Sequence, residues 1–208
     1  MLIKRKDLEI FLQNLERIQK LDIRFEQYPT PSRVAANLLW IAGIENEDLF
    51  QKNILDLGSG SGILAIGAAF LGAKNVFGIE IDRNAIEVAK RNCEIVELSN
   101  ICNWICSDVR SLQLRKIHTT IMNPPFGMRK EGFTRDRDFL QKAFEISKVI
   151  YSISSYNEKT RIFFNKYCKE NGAEIDKVIK MDFDIPWSYD FHKKSKHIIQ
   201  VDLYRILN

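Results

Sequence analysis

Asp56-Leu57-Gly58-Ser59-Gly60-Ser61-Gly62 follows the apolar run Ile54–Leu57 and precedes a second apolar run, Ile63–Leu71. Three glycines at alternate positions let the backbone turn sharply and approach a ligand closely, where a Cβ would collide. A strand, a glycine-rich turn and a helix in that order open a parallel α/β unit, with the ligand expected at the carboxyl end of the strand. A dinucleotide fingerprint, G-x-G-x-x-G, needs a glycine at position 63, and Ile63 stands there instead.

Outward from this run the pattern alternates. Strands are predicted at 54–57, 76–81, 101–106, 119–123 and 151–154, and helices at 63–71, 83–96, 137–149 and 157–170. Two β-rich segments, 173–181 and 197–206, close the chain with no helix between them, so they must pair antiparallel. Upstream, Leu8, Phe11, Leu12, Leu15 and Ile18 recur at helical spacing, which predicts a helix over 7–19 opened by Asp7. Thr30 and Pro31 read as N-cap and first residue of a second helix, 31–41. The expected fold class is α/β: a single Rossmann-like domain over 1–208 with a seven-stranded, mostly parallel sheet, an antiparallel last strand and helices on both faces. Residues 1–50 form a helical cap within it.

Composition narrows the class further. The chain has 208 residues, 45% hydrophobic and 28% charged, with 10 Gly and 5 Pro, which suits one packed domain and excludes a disordered or collagen-like chain. The longest apolar run, Ile63–Ala73, is far short of the ~20 residues that cross a bilayer. No secretory signal is visible, and the four cysteines form no C-x-x-C pair and sit in apolar segments, so buried reduced thiols and a cytoplasmic location are expected, with no partner membrane. The net charge of +4 is uneven. Residues 1–50 carry 7 basic and 8 acidic side chains, 51–108 carry 5 and 7, and 109–208 carry 19 and 12, net −1, −2 and +7. The C-terminal half is therefore suited to a polyanion.

The loop spacing resembles motif I of S-adenosylmethionine-dependent methyltransferases, and that cofactor is the one expected here. Glu80 ends the second predicted strand, where its two oxygens suit a ribose diol; Asp82 reads as the cap of the next helix. Asp108 follows the third strand, in reach of an adenine amine. Asn123-Pro124-Pro125-Phe126-Gly127 ends the fourth strand and resembles the [DNS]-P-P-[YFW] motif of amino methyltransferases. The resemblance implies that Asn123 and the Pro124 carbonyl accept hydrogen bonds from a planar amino group, that Pro125 stiffens the turn, and that Phe126 stacks on the ring.

Together with Glu26-Gln27-Tyr28-Pro29-Thr30 and the segment Asp184 to Lys194, these motifs make nearly the whole chain similar to the methyltransferase-like 5 family. That resemblance implies an enzyme forming N6-methyladenosine in small-subunit ribosomal RNA. It implies cofactor contacts from Gln27, Thr30, Gly58, Ser61, Ile63, Glu80, Asp108 and Val109, with Asp56 and Gly60 completing the loop. The chain departs from the family pattern at Ser59 and Ser61, where cysteines are frequent, and at Glu80, where aspartate is. Tyr28, Phe191, His192, Lys193 and Lys194 are the expected RNA contacts, a basic cluster interleaved with aromatics. Arg110, Arg115, Lys116, Arg129, Lys130, Arg135 and Arg137 are read as extending that track along the same sheet edge. No metal site is expected, since Cys102, Cys106, His192 and His197 lack finger spacing. Strand 101–106 should lie at an edge, and relatives add a strand there from a small zinc-binding activator subunit, so the same partner is expected. Guanine N2, DNA adenine or a protein glutamine remain as acceptors of the same motif, and a noncatalytic RNA-binding module as the alternative class.

Overall fold

In the computed structural model, which describes residues 3–19, 29–125, 132–185 and 197–208, the alternation resolves into seven strands and six α-helices. The strands are β1 (Asn53–Leu57), β2 (Asn75–Glu80), β3 (Cys102–Cys106), β4 (Ile117–Met122), β5 (Ser147–Ser155), β6 (Glu174–Ile185) and β7 (His197–Leu207). The helices are α1 (Arg5–Gln13), α2 (Ser32–Trp40), α3 (Ile63–Phe70), α4 (Arg83–Ile95), α5 (Gly132–Ile146) and α6 (Glu158–Glu170). The sheet order is β3-β2-β1-β4-β5-β7-β6, with β7 antiparallel to both its neighbours and the first five strands parallel.

Side chains of alternate parity divide the core into two layers. On one face Ile54, Val76, Cys102 and Tyr151 meet Leu8, Leu12, Leu38 and Ile66 from the first three helices; on the other Leu55, Leu57, Ile79 and Ile150 meet Leu140, Ala143 and Phe164 from α5 and α6. The N-terminal helices thus share the core of the sheet. Phe11 stacks on Phe70 at 4.0 Å, and a Cβ on Gly67 would enter the Leu39 side chain, so a glycine lets α3 lie close beneath α2.

Several boundaries differ from the sequence reading. The first helix runs from Arg5 to Gln13 rather than over 7–19, and Asp7 accepts a bond from the Lys4 backbone N–H at 2.9 Å from inside the first turn. Pro31, not Thr30, is the N-cap of α2, which continues into a single π-helical turn, Ile41–Glu45. The helix expected to reach Val149 stops at Ile146, and β5 takes nine residues. Pairing of Ser147 with Ile117 and of Val149 with Leu207 claims that segment for the sheet. A buried apolar run carries no period that separates the two states.

The topology sets which residues share an edge. β1, β2 and β4 all end at the edge where the glycine loop, Glu80 and Asn123 emerge. Arg115 and Lys116 immediately precede β4 and so lie at the opposite, amino-terminal edge; the Arg137 guanidinium lies over the Tyr167 ring at 5.6 Å, between α5 and α6. These three do not extend a track beside Asn123. Of the cysteines, Cys93, Cys102 and Cys168 are buried, whereas Cys106 on the edge strand is exposed, against expectation, because nothing among the described residues covers β3 there.

Packing beneath the loop is tight around one aromatic ring. Gly78 and Glu80 share a face of β2, and a Cβ on Gly78 would overlap the Trp104 ring; one on Gly62 would meet it at 2.5 Å. Gly78→Ala should therefore destabilise the protein by about 1–3 kcal/mol through overpacking. Urea unfolding measures this, and an unchanged midpoint would show that the ring moves aside freely.

Candidate active site

The loop between β1 and α3 has its glycines at positive φ, 74°, 53° and 84° for Gly58, Gly60 and Gly62, conformations that residues with a Cβ adopt only under strain. The N–H groups of Gly58 and Ser59 both donate to the Ile79 carbonyl, at 2.9 and 3.0 Å, which fastens the loop to the end of β2. A Cβ on Gly60 would meet nothing within 4 Å. Gly60 is therefore the open crest of the turn.

Glu80 anchors this crest. Its Oε2 accepts from the Gly60 N–H at 2.9 Å, and Oε1 from the N–H groups of Ile81 and Asp82 at 2.8 and 3.0 Å. Burial raises its carboxyl above the ordinary value, with these three bonds acting against that rise. A carboxylate offers about four lone-pair directions, so about one is left for an incoming hydroxyl. The two-hydroxyl contact read from the sequence thus requires the Gly60 N–H to leave Oε2. Asp82 caps α4 as read, accepting from the Asn84 N–H at 2.9 Å. The Ser107 N–H donates to the Glu80 carbonyl at 3.0 Å and brings Asp108 and Val109 beside Glu80. The Asp108 carboxylate is held by the Arg110 side chain at 2.6 Å and caps a short 3₁₀ turn, Val109–Ser111.

Asp56 sits beneath the loop rather than on its open side. It is 1% exposed, and Oδ2 accepts the Ala65 N–H at 3.0 Å, capping α3 at a distance where the N-cap, Gly62, has no side chain to do so. The bond from Ala65 makes it a support of the loop, while its Oδ1 is buried with no partner among the described residues. Burial pushes its carboxyl up to about 8. Between pH 3.8 and about 8 the unfolded chain then binds fewer protons at this residue than the folded one, so its contribution makes stability fall as pH rises, levelling off above that window. Asp56→Asn keeps the acceptor and removes the titration. Its thermal midpoint relative to wild type should climb from pH 4 to 8; a constant difference would show that Asp56 is ionised in the fold.

Asn123 follows β4 directly. Its Nδ2 donates to the Thr30 hydroxyl oxygen at 2.9 Å, while Oδ1 is buried with no partner among the described residues. Pro124 is buried and Pro125 half-buried. Gln27, Tyr28, Phe126, Phe191, His192, Lys193 and Lys194 lie outside the described residues.

The sequence reading missed Asn92, which is 1% exposed and lies on the inner face of α4. Its Oδ1 accepts the Glu16 N–H at 2.6 Å, and its Nδ2 donates to the carbonyls of Glu16 and Ser61, each at 3.0 Å. One amide thereby ties the N-terminal segment to the glycine loop. A polar residue at a core-facing helical position beside Ala89 and Cys93 was the available signal.

The sequence profile of the ribosomal protein L11 methyltransferase (PrmA) family matches residues 37–122, from α2 to the end of β4, and stops one residue short of Asn123. Over nearly the whole chain, an uncharacterised protein of Methanocaldococcus jannaschii is 37% identical, covering 99% of this chain and 94% of its own. The rRNA N(6)-adenosine-methyltransferase METTL5 of Danio rerio is 36% identical over 98% of each chain. This chain belongs to the METTL5 family. A solved structure of a candidate RNA methyltransferase from Pyrococcus horikoshii, 37% identical, matches 100% of this chain and 99% of that one with a TM-score of 0.90.

S-adenosylmethionine, the methyl donor of a METTL5-family enzyme, fits the residues present. The open crest at Gly60 admits close backbone approach, a buried Glu80 carboxylate reaches that crest, and the Ser59 Oγ and Asn123 Oδ1 are buried without partners among the described residues. The donor set holds oxygen acceptors and backbone donors, which suits a nucleoside with an amino-acid arm. Among the described residues no group of three His, Cys, Asp or Glu side chains is placed to hold a metal ion, and no helix is long and apolar enough to cross a membrane.

Proposed function

We propose that this protein transfers a methyl group to N6 of an adenosine in small-subunit ribosomal RNA. The observation that carries the reading is the Asn123 amide, its oxygen unpartnered among the described residues at the sheet edge that holds the glycine loop and Glu80, in a chain of the METTL5 family. Bound S-adenosylmethionine supplies a methyl group activated by sulfonium. The chain's own residues then have to position the acceptor. An exocyclic amine is a weak nucleophile because its lone pair is conjugated into the ring. Asn123 Oδ1 and the Pro124 carbonyl, accepting its two N–H bonds, shift density back to nitrogen and fix its direction, with Phe126 as the stacking surface. Orientation of this kind supplies ~7–11 kcal/mol without a general base. Glu80, Asp108 and Val109 hold the nucleoside part of the cofactor; Gln27, Thr30, Gly58, Gly60, Ser61 and Ile63 hold the rest.

On the RNA side the reading assigns Tyr28, Phe191, His192, Lys193 and Lys194. Phosphate contacts from the basic residues position the strand, and the target adenine leaves its stack at a cost of a few kcal/mol. The PrmA likeness ends before Asn123, so it speaks for the cofactor half and not for a protein acceptor. The reading also includes a small zinc-binding activator subunit added to β3, an edge strand that exposes Asn103 and Cys106. Full activity of the isolated chain would remove that partner.

The test is methyl transfer to purified small ribosomal subunits, followed by nucleoside mass analysis. N6-methyladenosine is the expected product; another methylated nucleoside, or methylated protein alone, would overturn the reading.

A further inference from the structure

We infer that Thr30 is a positioning residue for Asn123, holding its amide in place with Oδ1 toward the acceptor; this rests on the adenine N6 reading above. A terminal amide torsion is broad and roughly two-fold, so an asparagine needs a neighbour to hold its plane. An acceptor amine offers N–H donors, and only Oδ1 can receive them; Nδ2 in its place would set donor against donor. Nδ2 donates to the Thr30 Oγ1 at 2.9 Å, which satisfies one end of the amide and leaves Oδ1 as an acceptor without a partner among the described residues.

The two residues are 93 positions apart. Each immediately precedes a proline, Pro31 and Pro124, and each is therefore restricted to extended backbone before any ligand arrives. Because Pro31 is the N-cap of α2, Thr30 is not the capping residue of that helix, and its hydroxyl oxygen accepts from Asn123. Removing it leaves the productive orientation with an unsatisfied Nδ2, and the amide turns or loosens.

Thr30→Val keeps the shape and deletes the hydroxyl, while Thr30→Ser keeps the hydroxyl. At saturating cofactor and RNA, Thr30→Val should lower kcat by about 10- to 100-fold with a much smaller change in KM for RNA, and Thr30→Ser should recover most of the rate. A direct cofactor titration of each variant separates any contact Thr30 makes with the cofactor from its effect on kcat. Wild-type kcat in Thr30→Val, or equal losses in Val and Ser, would overturn the inference. If Thr30→Val does not fold, a reduced rate with retained thermal stability in Thr30→Cys, against recovery in Thr30→Ser, decides the same point. A wild-type protein that makes no N6-methyladenosine would instead refute the functional reading. In that case the Asn123 side-chain NH₂ resonances decide the inference: slow solvent exchange in wild type and Thr30→Ser, and fast exchange in Thr30→Val, are expected.

Discussion

Asn123→Ala lowers the rate of methyl transfer by about 10²–10³-fold, the size of effect seen when one preorganised hydrogen-bonding group is removed from a reacting centre. The substitution deletes the only side-chain acceptor that the proposed mechanism aims at the amine. It leaves the glycine loop and its bonds to Ile79, and the Glu80 anchor at Gly60, untouched. Cofactor affinity should accordingly stay within about twofold of wild type, since the lost interaction is made in the transition state and not with the bound cofactor. Single-turnover kinetics on small subunits and a cofactor titration check the two halves. Loss of cofactor binding together with rate would make Asn123 a structural residue, and a near-normal rate would leave alignment to the backbone alone.

Asp48→Ala should cost about 2–4 kcal/mol of stability, below the full cost of an uncompensated buried charge because Arg205 keeps Asp176. Asp48 Oδ2 receives the Tyr151 hydroxyl at 2.7 Å and Arg205 at 2.9 Å, and the Arg205 guanidinium reaches on to Asp176 at 2.8 Å. The Thr119 hydroxyl donates to the Asp48 carbonyl at 2.7 Å. One loop residue before β1 thus ties together β4, β5 and β7, and through Arg205 also β6. Deleting its carboxylate leaves a guanidinium that is 13% exposed with Asp176 as its remaining carboxylate partner, and takes from the buried Tyr151 hydroxyl the oxygen it donates to. Burial and the neighbouring carboxylate already hold that phenol well above its ordinary pKa. A loss below about 1 kcal/mol in urea unfolding would show that water replaces the carboxylate, as it does at exposed pairs. The network shares no residue with the glycine loop, Glu80 or Asn123, so the folded fraction should keep its turnover.

The order of these elements was legible because local chemistry sets it. Alternating glycines can be read as a turn at positive φ, the carboxylate at the end of β2 falls at the loop by the parallel alternation, and the two prolines after Asn123 restrict the backbone whatever surrounds them. The family likeness was legible for the same reason, since it lies in contiguous motifs. That Asp56 caps α3 was not legible, because a carboxylate at the mouth of a glycine loop looks the same in sequence whether or not it reaches the Ala65 N–H. Arg115 and Lys116 were misplaced because net charge records no strand direction.

The sequence by itself determined a cofactor-binding α/β sheet and an amino-acceptor motif, because both reside in short runs whose backbone conformation depends on the residues within them. Only the tertiary structure decided which partners those runs have. Thr30 with Asn123, Asn92 with Ser61, and Asp48 with Tyr151 and Arg205 join positions 31 to 157 residues apart. No local propensity encodes such a meeting. It exists only when the sheet order and the helix packing have brought a donor and an acceptor to one side of the same strand end.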